Sequence, residues 1–402
     1  MNKSIKNTNF NDRLQKAIEN LLARHGSENE GYRADKKPFA VFDWDNTSII
    51  GDVEEALLYY IITHLAFKMD PEELIEVIKK NVPSDNLDEK FNNLDGEPVN
   101  IDLLASDIKE AYDKLYGTAK SLGGDIDLED LLDTNVYKEF VSKMFYRYKA
   151  IRARSDARED YCWMSFLLTN YTTEELYNLC QDAFAYVKKE TPRREIFTSP
   201  DIESSAGRVE ISIFVGLGDI DEMAKLYKTL ESNGIDVYIV SASFIDIVRA
   251  FATSRANAYG FDKDKVLGLR LEKDGDGKVI PNLDPAYPPT LKEGKVQTIN
   301  KFIKNPNNYG PIMVGGDSDG DYAMLTSFDQ TDLGLIIDRD IGGKINDLKA
   351  FALDGDNKYH LQARDVRAKT FIKEKRSKEL KNVFWRLWNR NGIWQGNRAH
   401  QI

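Results

Sequence analysis

The apolar residues of the chain recur in two periods, and the period changes along its length. Leu14, Ile18, Leu21 and Leu22 repeat at helical spacing, with Gly26 behind them as a C-terminal cap. A polar stretch, 27–37, separates this helix from Phe39–Phe42, an all-apolar run that predicts a buried strand. Residues 52–67 predict a helix, and the apolar run Ala56–Phe67 within it is too short to span a bilayer. From Asp70 to Glu190 the pattern is almost wholly helical. Asp70-Pro71-Glu72-Glu73 and Thr172-Thr173-Glu174-Glu175 each mark a helix start.

After Gly207 the pattern alternates. A helix over 219–233 ends at Gly234, and "IDVYIVSAS" follows as a buried strand. Helices are expected over 244–255, 295–304 and 319–328, and strands at "PIMVGGD" and "LGLIID". The stretch 265–283 reads as a hairpin turning at Asp274-Gly275-Asp276-Gly277, which lacks the ligand spacing of a calcium loop. Strands alternating with helices imply an α/β fold, a doubly wound parallel sheet with right-handed crossovers. The expected division is a discontinuous core, 1–67 and 206–402, and an inserted helical cap, 68–205. Trp385, Trp388 and Trp394 are expected to pack a C-terminal helix on the core.

Composition narrows the function. The 402 residues are 42% hydrophobic and 30% charged, with 66 acidic against 55 basic side chains and a net charge of −11. That balance argues against non-specific binding to nucleic acid or an anionic membrane. It also means that an anionic substrate needs a metal or local cations. Two cysteines, Cys162 and Cys180, make neither a disulfide framework nor a thiolate metal site. The N-terminus lacks the apolar core of a secretory signal, so a cytoplasmic location is expected, with export of a longer precursor left open.

Four segments carry polar residues at strand ends or helix starts: Asp43-Trp44-Asp45-Asn46-Thr47, Ser241, Lys295, and Gly315-Gly316-Asp317-Ser318-Asp319-Gly320-Asp321. In an open α/β sheet the carboxyl ends of the strands converge on one crevice. Together and in this order they resemble the haloacid dehalogenase superfamily of phosphohydrolases. The resemblance implies a magnesium-dependent phosphomonoester hydrolase and gives each residue a role. Asp43 would be both nucleophile and metal ligand. Asp45 would be general acid and base, with its backbone carbonyl on the metal. Asp317 would be a further ligand, and Asp321, with Asp319 as a rival, the remaining carboxylate. Ser241, with Ser243 as its alternative, and Lys295 would hold the phosphoryl group, and Thr47 would orient Asp45 or meet the substrate. Mg2+ explains why two carboxylates tolerate each other, since a dication takes oxygen ligands from both.

A closer resemblance lies in "DWDNTSIIGDVEEALLYY", "GIDVYIVSAS" and "GGDSDGDYAML", which are similar to bacterial phosphorylcholine phosphatases. It implies a small phosphorylated substrate, phosphocholine first, with Glu55 and cap aromatics around a quaternary ammonium. Tyr59 lies one helical turn from Glu55, and Tyr161, Trp163, Phe166 and Tyr171 are cage candidates in the insert. Phosphoserine phosphatase activity is the first alternative and would use a cation such as Arg152, Arg154 or Arg158. Phosphoethanolamine hydrolysis, phosphoryl transfer to another alcohol, and a phospho-ligand binder without turnover complete the set. No feature of the sequence speaks to oligomeric state.

Overall fold

The computed structural model describes residues 5–154, 162–304, 309–374 and 376–380. In chain order its first strands are β1 (Phe39–Phe42), β2 (Ile49–Gly51), β3 (Arg193–Thr198), β4 (Glu210–Val215), β5 (Leu217–Asp219) and β6 (Asp236–Phe244). The rest are β7 (Val266–Leu269), β8 (Leu271–Lys273), β9 (Val279–Leu283), β10 (Met313–Gly316), β11 (Leu333–Ile337), β12 (Tyr359–Asp365) and β13 (Thr370–Ile372). Seven of them form one sheet in the order β13-β12-β11-β10-β1-β6-β7. Every neighbouring pair is parallel except β12 with β13. This is the expected doubly wound core.

Alternation along β1 shows why both faces are covered. Phe39 and Val41 enter one apolar cluster, and Ala40 and Phe42 enter the other. Helices Asp12–His25, Asp221–Ser232 and Ile245–Ala252 supply the second cluster, and Ile299, Met324, Leu325, Ile345 and Leu348 belong to the first. A strand buried on both sides has no room for polar side chains, which is why 39–42 is apolar throughout. Strand β1 lies between β6 and β10, so the winding reverses beside it. Such a switch point opens a crevice at the carboxyl ends, immediately after Phe42.

The insert holds helices Pro71–Lys79, Ile101–Leu115, Asn135–Arg152, Trp163–Phe166 and Thr173–Lys189. Both expected capping boxes form, at Asp70 with Glu73 and at Thr172 with Glu175. The expected division after residue 205 is cut by a hairpin. Strand β3 pairs antiparallel with β4, from Arg193 opposite Val215 to Thr198 opposite Glu210. Alternating β-branched and aromatic residues in "REIFT" and "EISIFV" favour that pairing over helix. The hairpin expected over 265–283 also divides. Strand β7 joins the main sheet parallel to β6, and only β8 and β9 form a hairpin, turning where Gly277 has φ 76°. Trp385, Trp388 and Trp394 lie outside the described residues. Among the described residues no helix is long and apolar enough to cross a membrane.

A buried ionic cluster closes the insert. Lys143 Nζ donates to Asp107 Oδ2 at 2.6 Å and to the Gly207 carbonyl at 2.7 Å, and lies 3.0 Å from Glu139 Oε1. Asp107 also accepts from the Ser205 and Ala206 amides. One lysine thus ties two helices to the segment that leads back to the core. Lys143→Met strands two buried carboxylates, and stability should fall by about 3–5 kcal/mol in chemical denaturation at pH 7. A loss under about 1 kcal/mol would contradict this role.

Candidate functional site

The loop after β1 is built to expose Asp43 and Asp45 in the crevice. The Asp43 amide donates to the Gly315 carbonyl on β10, and the Ser48 hydroxyl closes back onto the Asp43 carbonyl. Asn46 has φ 60°, and the Arg364 guanidinium holds its carbonyl at 2.9 Å. The Asn46 amide reaches the carbonyl of Gly51, whose φ of 86° and closeness to Gly216 leave no space for a Cβ. Trp44, fully buried, packs on Phe251, Tyr259 and Phe261. The tryptophan anchors the loop between the two aspartates.

Three carboxylates meet below this loop. Asp43, Asp317 and Asp321 each place an oxygen within 4.8 Å of the others, and all three are buried. Lys295 bridges two of them, 2.5 Å from Asp43 Oδ1 and 2.7 Å from Asp321 Oδ1. Asp317 accepts from Thr47 Oγ1 at 3.0 Å and from Arg339 at 2.7 Å. Asp321 Oδ2 accepts the amides of Asp317 and Ser318. Gly316 makes this turn possible, since a Cβ there would lie 2.4 Å from Asp321 Cβ. Burial, and then Asp321, push the Asp43 pKa well up against the pull of Lys295. Burial works to lower Lys295, but Asp321 and Asp43 outweigh it and hold its pKa above the ordinary value. A buried all-oxygen donor set with excess negative charge fits a hard dication such as Mg2+.

Asp45 stands outside that cluster. Its Oδ1 accepts the Val53 amide at 2.7 Å, and its Oδ2 accepts from Ser243 Oγ at 2.7 Å and Ser241 Oγ at 3.3 Å. The Asp45 side chain thus faces β6 and not the carboxylate cluster, and the metal contact expected of this residue is through its backbone carbonyl. Burial, then Asp52 and Asp43, push its pKa well up. Of the two serines, Ser243 makes the shorter bond to Asp45. Ser241 also accepts the Ser243 amide. Asp319, the rival for the acidic position, accepts the Ile345 amide at the start of helix Ile345–Leu353 and so lies apart from the cluster.

The expected substrate contacts divide. Thr47 is fully buried and bonds Asp43 and Asp317, so it orients those two carboxylates and not Asp45. Glu55 does line the cavity above Asp43. Burial would raise its pKa, but Lys149 and Arg152 outweigh that and bring it down to about 2. Tyr59 is not at the cavity, and its hydroxyl donates to Glu195. Trp163 is buried in the insert, donates to the Val77 carbonyl and stacks on Arg147. Their apolar bodies fill cores, as helical spacing of aromatics usually does. Phe166 and Tyr171 are buried likewise. Tyr161 and Arg158 lie outside the described residues. The cavity, about 790 Å3, runs from Asp43, Asp317 and Asp321 up to Arg152 and Arg154, with Lys292 and Lys344 at its rim.

No family model matches the chain. A solved structure of a functionally unknown protein from Anaerococcus prevotii DSM 20548 has 55% identity and a TM-score of 0.91, covering 95% of this chain and 100% of that one. Phosphorylcholine phosphatase from Pseudomonas aeruginosa is 26% identical over 315 residues, 73% of this chain and 72% of the relative.

One buried carboxylate escaped the sequence. Glu54 is buried, and its Oε1 accepts from Ser165 in the insert and from the Phe244 amide at 3.0 Å in the core. Only the low polarity of 56–67 hinted that this helix is enclosed on all sides. Burial, then Asp52, raise the Glu54 pKa from 4.5 to about 7. The neutral carboxyl is thus favoured on folding. Its contribution is complete below pH 4.5 and is lost as pH rises through about 7. Glu54→Gln should remove up to ~3 kcal/mol of pH-dependent stability between pH 5 and 8. Denaturation of both proteins without metal measures it, and an equal wild-type-to-variant difference at both pH values would contradict it.

Proposed function

We propose that the protein is a phosphatase of the haloacid dehalogenase superfamily, a magnesium-dependent phosphomonoester hydrolase that works through an aspartyl-phosphate on Asp43. The observation that carries this reading is the buried cluster of Asp43, Asp317 and Asp321 around Lys295. Asp43, Asp317 and the backbone carbonyl of Asp45 would hold the ion, with Asp321 behind them. The ion supplies charge neutralisation that lets a dianionic ester approach three carboxylates. It also favours the carboxylate form of Asp43, against the upward push of burial.

The chain's own groups then divide the work. One oxygen of Asp43 attacks phosphorus, and the bond from phosphorus to the leaving oxygen breaks. Asp45 gives its proton to that oxygen, and its raised pKa supports its carrying one at neutral pH. Asp45, now a carboxylate, takes a proton from water, which attacks the phosphorus of the acyl-phosphate. The bond to Asp43 oxygen breaks and phosphate leaves. Lys295 keeps a positive charge beside Asp43 throughout, and Ser241 and Ser243 set the direction of Asp45. The insert acts as the cap, covering this chemistry from above and contributing Arg152 and Arg154 to the cavity wall.

For the substrate, the relative's name points to phosphocholine, and Glu55 is the matching carboxylate. Yet Glu55 is already met by Lys149 and the Tyr148 hydroxyl. Among the described residues no aromatic ring lines the larger cavity. We assign a small phosphorylated metabolite and leave choline out of the assignment.

Asp43→Asn should cut phosphate release from p-nitrophenyl phosphate by ~1,000-fold or more, and chelation of the metal should abolish it until magnesium is restored. Turnover that survives either change would refute the mechanism. Asp45→Asn should cost ~100-fold more with an alkyl phosphate than with p-nitrophenyl phosphate, whose leaving group needs no proton. Equal losses on both esters would remove Asp45 from that role.

A further inference from the structure

A second cavity of about 200 Å3 adjoins the reaction cavity, and Asn46, Glu55 and Arg339 line both. The hairpin β3–β4 contributes Arg194 and Phe214 to its wall, the end of helix Asn135–Arg152 contributes Lys149, and β12 contributes Arg364. Four cations face two carboxylates, Glu55 and Glu379. Three of the cations are engaged. Arg364 holds Glu379 through two bonds of 2.6 and 3.0 Å, Lys149 pairs with Glu55, and Arg339 with Asp317.

Arg194 differs from these three. It is half-buried, its Nε donates to the Leu380 carbonyl at 3.3 Å, and among the described residues no carboxylate pairs with it. Burial lowers its pKa, with Glu55 and Glu379 offsetting only part of that. Arg339, which reaches from this cavity to the carboxylate cluster, keeps a buried Nε without a hydrogen-bond partner. Guanidinium groups are planar forks suited to a carboxylate or a phosphate. A half-buried one without a counter-ion is costly unless a ligand brings the charge. Lys292 and Lys344, at the rim of the larger cavity, also pair with no carboxylate among the described residues. In a chain of net charge −11, this local excess of cations runs against the average surface.

We propose that Arg194 and Arg339 form a second anion subsite beside the reaction centre, and that the substrates are phosphomonoesters whose leaving alcohol itself carries a carboxylate or a second phosphate. This rests on the hydrolase reading above and extends it. The scissile phosphoryl group sits over Asp43, and the distal anion enters the smaller cavity past Asn46 and Glu55. The anionic end identifies the class, and a cationic end meets Arg194 and Lys149 unfavourably.

Matched esters test it. 3-Phosphoglycerate against glycerol 3-phosphate changes a carboxylate for a hydroxymethyl group, and propane-1,3-diol bisphosphate against its monophosphate adds a phosphate. The anionic member of at least one pair should have the higher kcat/KM, and the pair that responds distinguishes carboxylate from phosphate. Arg194→Gln should reduce that ratio about 10- to 100-fold, with Arg194→Lys between the two. Binding is read separately: malonate or pyrophosphate should raise the melting temperature of the full chain and not that of Arg194→Gln. Hydrolysis of the neutral members with no anionic preference in either pair overturns the subsite and leaves the hydrolase standing. Absence of turnover on every ester overturns the hydrolase reading. Failure of both anions to stabilise the unmodified chain overturns the subsite whether or not turnover is seen.

Discussion

Lys295 is the contact on which the site depends. It is buried between Asp43 and Asp321, and without it three carboxylates would share a space that excludes water. Burial, and then the like charge of Asp321, push the Asp43 pKa up even with the lysine present. Lys295 and Arg339 together carry two positive charges against the three carboxylates. The arrangement is therefore short of cation, and a divalent ion is the simplest completion. A site with enough lysines and arginines to neutralise itself would have no place for a metal or for a dianionic ester.

The fold supplies that shortage at one location. Strand β1 runs out beside the reversal of winding, between β6 and β10, and each neighbour delivers a different kind of group. From β10 come the second carboxylate and the glycine that lets Asp321 fold back beneath it. From β6 come the two serines that hold Asp45. The two aspartates of the first segment consequently point to different neighbours, Asp43 toward the cations and Asp45 toward the hydroxyls. That separation gives them different chemistry despite their being one residue apart, and the fully buried Trp44 between them keeps it.

The core was legible in the sequence for a physical reason. A strand enclosed on both faces must be apolar, so a sudden run of polar residues at its end has to face the crevice. Asp43, Ser241 and Asp317 stand out that way, whereas Lys295, at a helix start, stands out only by its order among the other three; Asp43, Lys295 and Asp317 gather in one cluster, and Ser241 meets Asp45 beside it. The outer residues were not legible because burial of a helical residue depends on what lies across from it. Tyr59 and Trp163 carry the right chemistry for an ammonium cage, yet each faces packed protein. Glu54 carries the wrong chemistry for a core and is buried anyway, because Ser165 and the Phe244 amide satisfy it. The hairpin β3–β4 was missed because a two-strand ribbon at the edge of a helical layer leaves only a short alternating signature. Arg194 lies on it, and no spacing rule connects Arg194 with Asp43.

The position of β1 also bears on how the molecule is made. This strand is synthesised early, yet both its neighbours come from far downstream, and the bonds around Asp43 span 252 residues to Lys295 and, through Thr47, 270 to Asp317. A growing chain therefore carries its most apolar strand without a partner until most of the polypeptide has left the ribosome. Long-range pairing of this kind is slow and leaves sticky surface exposed meanwhile. Asp43 cannot meet Lys295 until the 252 residues between them have been made, so a chain cut short before that point lacks this contact.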